Sequence, residues 1–450
     1  MQSEVFEEDE LTSGFLKFDE DSDSDFNFEA LDMTHYISND LIAVAASEEC
    51  LFIATRRNKL IRKRVSFENK FCELSFPYRA MSELVGMYPD LIGNHCIFIM
   101  KEGDHCYLSL ESDKIVILTK ILNLPITSIA YPSTTTSTST GDILLGCKDG
   151  TIYLYRIDIT RSNEVQELTL KKVFQVPRGN AIYGLVYETY ECLDKTITLI
   201  VIFTNETCYQ LTGSLPFGNY FIKYDQQKVV IPKGKLKVNE VKFCYQYFGN
   251  GLFELRHFVW KTDEGAYYGD FRIKDDVKSS VLIKDLLLEK YKSRSITDQK
   301  IPNAVAVTNY NLYFLYSNNL AVVSKISKEI EYSINFKTNE YMNGIIHDPC
   351  GKSMWITSEK GINRLIIANE HKNLWRQKLY SGNFEEALRL CTNSNTMYFK
   401  HVAGLYGDYK FSEGKFVEAA ALYVISNRNF EEIILKYLTV NENEGLRSTV

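Results

Sequence analysis

A strand, tight turn, strand unit recurs seven times along most of this chain, and it limits the fold more than any other feature. The copies are CLFIATRRNKLIRKRV with its turn at Asn58, HCIFIMKEGDHCYLSL at Gly103, DILLGCKDGTIYLYRI at Asp149, TLIVIFTNETCYQL at Asn205, HFVWKTDEGAYYGDF at Glu264, LYFLYSNNLAVVSKI at Asn318 and SMWITSEKGINRLII at Lys360. Successive turns lie 45, 46, 56, 59, 54 and 42 residues apart. In each copy apolar or aromatic residues flank an Asn, Asp or Gly cluster, the chemistry that supplies positive φ in short hairpins. One more apolar strand precedes most copies, at 41–44, 126–131, 182–186, 304–307 and 344–347. A weakly marked outer strand brings each unit to about four, and four-stranded units ~40 to 50 residues apart are the signature of a β-propeller. The pattern predicts seven blades over residues 36–368. A long β-sandwich is the rival, but nothing in it calls for seven equivalent hairpins. Segments 133–140 (STTTSTST) and 279–291 (SSVLIKDLLLEKY, helix-like) read as insertions at blade rims.

The period changes near residue 370. Phe384, Ala387, Leu388, Leu390 and Cys391 are matched thirty-two residues later by Phe416, Ala419, Ala420, Leu422 and Tyr423, the stripe of an amphipathic helix. Phe430, Ile433, Ile434 and Tyr437 start a third stripe, while Val402, Leu405, Tyr406 and Tyr409 make a facing one. Gly382 and Gly414 mark equivalent turns. The pattern predicts the start of an all-α solenoid of helix hairpins over 369–450, with about two pairs where roughly three repeats usually complete a core.

Charge is uneven. Residues 1–32 hold twelve acidic side chains and one Lys, a net of −11, which leaves +4 for the rest (50 basic, 46 acidic) and −7 for the whole chain. An acidic start has neither the basic patch nor the apolar stretch of a signal peptide. Asp21, Asp23, Asp25 and Asp32 match positions of a calcium loop, but Phe26 stands where its sharp turn needs Gly. Residues 1–35 therefore read as an acidic disordered leader, with Ser22 a candidate for phosphorylation. The ten Cys are never closer than ten residues apart, which gives no zinc knuckle and no dense disulfide framework; they read as reduced, mostly buried thiols.

Catalytic patterns are missing from the sequence: no GxSxG elbow, no phosphate-binding GxxxxGK[ST], no GxGxxG after a strand, no HExxH. The seven His never fall within four residues of one another. No enzyme activity, cofactor or metal is expected, although a site assembled from distant blades leaves no local trace. The sharpest polar cluster is Arg56, Arg57, Lys59, Arg62, Lys63 and Arg64, six cations in nine residues. It reads either as a hairpin whose alternate side chains face water or as a contact for a membrane or an acidic partner. A net of +4 over 418 residues is not the basic domain of a nucleic-acid binder. Trp260, Trp355 and Trp375 read as core.

Several stretches resemble the vacuolar protein sorting protein 18 (Pep-three) family: KIPNAVAVTNYNLYFLY (300–316), GIIHDPCGKSMWIT (344–357), NLWRQKLYSGNFEEALRLC (373–391) and EGKFVEAAALYVISNRNFEEIILKYL (413–438), with LIGNHCIFIM, ITSIAY and DILLGCKDGTIYLYRID upstream. The resemblance covers residues 40–445, and its most specific part is the Phe-Glu-Glu helix start repeated after a Gly-Lys-Phe turn. It implies a core subunit of the HOPS and CORVET tethering complexes. Such a subunit is a non-enzymatic scaffold for docking and fusion at endosomal, lysosomal or vacuolar membranes. The implied partners are sister class C subunits, a Sec1-type SNARE-binding protein, and SNAREs or a Rab GTPase indirectly. The implied state is a hetero-oligomer, cytoplasmic and peripheral on late endosome and lysosome or vacuole. Family members continue to a C-terminal RING zinc domain; with no CxxC before Val450, zinc binding and ligase activity are not carried over. A coat or nuclear-pore scaffold of the same propeller-then-solenoid order is the alternative, and a propeller enzyme a more distant one.

Overall fold

The predicted turns close the hairpins. Asn58, Gly103 and Gly150 take positive φ of 61°, 93° and 79°, and the chain reverses again around Asn205, Glu264 and Asn318. Gly150 is needed on two counts, since a Cβ there would also lie 2.8 Å from the Asn180 carbonyl oxygen. The computed structural model describes residues 26–31, 41–47, 50–64, 71–77, 83–110, 112–132, 135–192, 195–213, 228–230, 240–249, 252–271, 286–293, 299–336, 341–348, 353–358, 361–367, 370, 374–391, 396–426 and 428–439. The turn expected at Lys360 falls outside them.

The described strands form seven four-stranded sheets. Six begin on an inner strand, namely Leu41–Ser47, Leu84–Pro89, Ile126–Ala130, Gly184–Cys192, Glu240–Gly249 and Ala304–Val307. From each of these the chain steps outward through antiparallel neighbours. The seventh starts at Met342–His347, passes through Ser353–Ser358 and Ile362–Ile367, and takes its outer strand, Phe26–Leu31, from the start of the chain. That strand lies inside the stretch read as a leader, so the sheet reaches into it. Residues 1–25 and 32–35, Ser22 included, lie outside the described residues.

Burial explains why the hairpins were so conspicuous. Each sheet is packed between two others, so both faces of its middle strands must be apolar. Cys50–Thr55, His95–Met100, Asn311–Leu315 and Asn319–Ser324 are buried at every position. The core is divided among the seams. Phe52 and Leu60 meet Phe98 and Leu108 between sheets one and two, Phe203 meets Phe258 and Trp260 between four and five, and Leu51 and Ile53 meet Trp355 and Ile362 where the seventh sheet closes on the first. Trp260 and Trp355 are fully buried, as expected of core.

The outer strands were poorly marked because they are short or half-exposed: Val116–Ile117, Lys228–Val230 and Leu287–Glu289 have two or three residues each. The last corrects the helix-like reading of 279–291. Leu287 and Leu288 pair with Tyr268 and Tyr267 as the fifth sheet's outer strand, because a short apolar run carries no period of its own and pairing decides its conformation. Residues 279–285 lie outside the described set. In the other predicted insertion, Ser139 and Thr140 already belong to the strand Ser139–Cys147. Cys50, Cys72, Cys96, Cys106, Cys147, Cys208, Cys244 and Cys391 are free thiols, and of these only Cys72 is not buried.

The chain divides into a unit of residues 29–365 and a second unit that contains the helices. These are α1 (Leu374–Tyr380), α2 (Phe384–Cys391), α3 (Thr396–Ser412), α4 (Phe416–Val424) and α5 (Phe430–Thr439). The thirty-two-residue repeat is visible in its turns. Gly382 and Gly414 adopt φ of 75° and 76°, and in both turns a carbonyl five residues back, Lys378 or Lys410, accepts the N–H of Asn383 or Lys415, a Schellman-type end that favours Gly. Trp375, Ala387, Cys391 and Val402 form the buried interior of the first pair, with the Trp375 ring 4.9 Å from Tyr398. In the second pair Asp408 is the hub. It accepts the Tyr423 hydroxyl at 2.7 Å, Arg428 Nη2 at 2.5 Å and Lys436 Nζ at 2.5 Å, joining α3 to α4 and α5. Replacing it by Asn keeps the shape and removes the charge. Asp408→Asn is expected to lower the stability of the helical unit by about 1–2 kcal/mol, read as an earlier midpoint in urea by helical circular dichroism. An unchanged midpoint would remove Asp408 from the set of stabilising groups.

Candidate functional site

The six cations of the basic run do not form one patch. Arg56 and Arg57 are exposed at the turn and Arg64 at the far end of the strand Lys59–Arg64, about 20 Å apart or more at ~3.3 Å per extended residue. Lys59 pairs with Glu73 on the neighbouring strand, and Lys63 is half-buried. The Arg62 side chain is only 13% exposed. Its Nη1 donates to the carbonyls of Leu110 (3.0 Å), Ser112 (3.3 Å) and Ser109 (3.4 Å), and its Nη2 to Asp113 Oδ1 (3.2 Å). The planar guanidinium thus holds the loop that follows the third strand of the second sheet, a positioning task a point charge does poorly.

The inner strands enclose a cavity of about 190 Å³ lined by Val44, Ala46, Met87, Phe243 and Ile345 among others, with Lys242 and His347 its only titratable lining groups. Lys242 Nζ lies 3.3 Å from Glu240. Burial pushes the His347 ring down to about 4, so it is neutral at physiological pH. Ligand pockets usually span ~300–1,000 Å³; this space is smaller, and its lining residues include no carboxylate.

Two polar clusters left no local signal that was read from the sequence. In the first, Asp90 Oδ1 accepts the His95 N–H (2.9 Å) and Oδ2 the Thr135 hydroxyl (2.9 Å). His95 Nδ1 lies 2.6 Å from the Tyr107 hydroxyl, and Nε2 2.6 Å from the Thr136 carbonyl. Ser47 donates to the Asp90 carbonyl at 2.5 Å, so the network joins three sheets. The spacing of Asp90 and His95 around the turn DLIGNH was the available clue. In the second, His257 Nδ1 lies 2.5 Å from Asp270 Oδ1 and 3.1 Å from Lys325 Nζ, and Nε2 lies 3.0 Å from Asn309 Oδ1. Burial raises the Asp270 carboxyl, but the hydrogen bond from His257 and the charge of Lys325 outweigh it and hold it at about 2. Asp270 is the cross-strand partner of His257 within the fifth sheet, while Lys325, 68 residues away, is brought in by the packing of the sixth sheet on the fifth. Both clusters tie sheets together. Among the described residues no three His, Cys, Asp or Glu gather where they could hold a metal ion, and no helix is long and apolar enough to cross a membrane.

A family model described as the Pep3/Vps18/deep orange beta-propeller domain matches residues 25–367, and a second, described as the VPS18 alpha-solenoid domain, first half, matches 370–449. The chain belongs to the Pep3/Vps18 family. It is 21% identical over 428 residues to Vacuolar sorting protein 18 of Arabidopsis thaliana, covering 91% of this chain and 42% of that protein. It is 22% identical over 383 residues to the Vacuolar protein sorting-associated protein 18 homolog of Drosophila melanogaster, covering 81% and 37%. Vacuolar membrane protein pep3 of Schizosaccharomyces pombe matches at 23% over 209 residues, covering 46% and 22%. The chain thus spans about two fifths of the length of the plant and fly relatives. The beginning of the propeller match at residue 25 agrees with the strand at Phe26–Leu31.

Two outcomes test these assignments. Arg62→Lys retains the charge but loses the fork, and is expected to destabilise the β unit by about 1–3 kcal/mol, seen as a lower midpoint of tryptophan fluorescence in denaturant; an unshifted midpoint would return Arg62 to the solvated surface. His347 has a folded pKa of about 4, below the ordinary value of ~6.5. The folded chain therefore binds fewer protons than the unfolded one, and the stability His347 confers at neutral pH is lost as pH falls from about 6.5 to 4. His347→Gln should flatten that limb of the stability–pH curve; a limb of undiminished slope would assign the acid sensitivity elsewhere.

Proposed function

We propose that this chain is a non-enzymatic scaffold subunit of a HOPS/CORVET-like tethering complex, acting in docking and fusion at endosomal, lysosomal or vacuolar membranes. The carrying observation is the order of the two family matches, a Pep3/Vps18 propeller over 25–367 followed at once by the first half of a VPS18 solenoid over 370–449. The relatives' names carry vacuolar sorting and a vacuolar membrane, and the central cavity of about 190 Å³ is smaller than most ligand pockets. A closed ring with loops on both rims and a stack of helices each supply surface for other chains. Tethering suits such an object, because several modest contacts on one scaffold multiply into high avidity.

On this reading the partners are sister class C subunits and a Sec1-type SNARE-binding protein, with SNAREs or a Rab GTPase engaged indirectly, and the chain is held peripherally on late endosome and lysosome or vacuole. Affinity purification of the tagged full chain, followed by mass spectrometry, is expected to recover class C subunits together. Recovery of clathrin-coat or nuclear-pore components instead, or of no class C subunit, would overturn the assignment.

A further inference from the structure

The central cavity holds a polar group that no other described residue satisfies. His347 closes the inner strand of the seventh sheet, Met342–His347, and lines the cavity. It has no hydrogen bond or ion pair among the described residues, and burial is the sole influence on its titration. Because that burial keeps the ring neutral, it presents one N–H donor and one acceptor nitrogen, both without a protein partner. Buried polar groups are nearly always hydrogen-bonded. The other described histidines of the β unit, His95, His105 and His257, obey that rule at both ring nitrogens.

Charge and size limit what the ring could meet. Lys242, on the inner strand of the fifth sheet, lines the same cavity. Its neighbour Glu240 is shared, with Lys242 Nζ 3.3 Å from one carboxylate oxygen and Lys261 Nζ 3.8 Å from the other. Lys261 is the more buried of the two, and Glu240 opposes the burial that lowers its ammonium. Two ammonium groups on one carboxylate leave a positive charge in excess, and no carboxylate lines the cavity to balance it. As for size, about 190 Å³ equals the volume of roughly six liquid waters at ~30 Å³ each, and a cavity of ~150 Å³ accepts benzene. A guest of about six to eight non-hydrogen atoms fits such a space.

We propose that the central cavity binds a small hydroxy acid, whose carboxylate pairs with Lys242 and whose hydroxyl hydrogen-bonds to the His347 ring. Because both groups line one cavity of this volume, a single small molecule can reach both. A hydroxyl donates and accepts, so it satisfies the neutral imidazole in either tautomer. Val44, Met87, Phe243 and Ile345 give a short branched hydrocarbon body dispersion contacts that water does not make. A dicarboxylate or phosphate is disfavoured, since one excess cation would leave a second negative charge buried and unpaired. Room for so few atoms favours a free small molecule over a segment of a protein. Water, hydrogen-bonded to the same groups, is the competing occupant.

The inference does not depend on which complex the chain joins, so its test uses the full chain alone. The probe is 2-hydroxyisovalerate, which has the carboxylate, the hydroxyl and an isopropyl body. It is titrated by ligand-observed saturation-transfer NMR beside its uncharged amide and beside isovalerate, which lacks the hydroxyl. The hydroxy acid is expected to bind about tenfold more tightly than the amide and about threefold more tightly than isovalerate. Lys242→Met, a change on a half-exposed side chain that keeps the aliphatic stem, is expected to erase the preference for acid over amide. His347→Phe keeps a ring and removes both nitrogens; it is expected to erase the preference for the hydroxyl. Absence of binding by the parent chain, which leaves the cavity to water, overturns the proposal. So does an acid preference that survives Lys242→Met, or a hydroxyl preference that survives His347→Phe. The comparison of acid with amide needs no variant and therefore stands even where a substitution at His347 unfolds the chain. A failed class C purification leaves these affinities untouched, and absent binding leaves that purification untouched.

Discussion

The structure depends on a packing constraint: a sheet whose two faces are both apolar cannot stop. Each blade buries one face on the blade before it and one on the blade after it, and every exposed end would leave a face like that of Cys50–Thr55 or Asn319–Ser324 in water. At about 25 cal/mol per Å² of apolar surface, an uncovered blade face would be a large loss against a marginal total stability. A ring is the arrangement that removes both ends. The polar ties follow from it: Arg62, the Asp90 network and the His257–Asp270–Lys325 cluster all span a seam, and each satisfies groups that blade contact would otherwise bury unpaired.

The helical unit solves the same problem differently. Its pairs bury Ala387, Cys391, Val402, Ala419 and Tyr423 between helices, while Val424, Phe430, Leu435 and Leu438 stay largely exposed on α4 and α5. The combination of a propeller and a helical stack on a single chain agrees with the family and with the scaffold role proposed for it.

Legibility in the sequence followed the physics. Middle strands were readable because two-sided burial makes continuous apolar runs and because Asn58, Gly103 and Gly150 sit where positive φ is needed. The helix pairs were readable because Gly382 and Gly414 repeat in register with Phe384 and Phe416. Leu287–Glu289 was misread since three residues carry no period, and the strand at Phe26–Leu31 was hidden beneath the acidic composition around it. The basic run read equally as water-facing alternation or as a contact, because sequence spacing does not show that Arg62 turns inward while Arg56 and Arg64 point to solvent at opposite ends.

The seventh sheet has a consequence for how the protein is made. Its outer strand precedes every other described strand in the chain, and the three strands it joins are the last of the β region. For most of synthesis, then, an early segment waits without its pairing partner, and the first and sixth blades each present an uncovered flank. Long-range pairing of this kind is slow and aggregation-exposed.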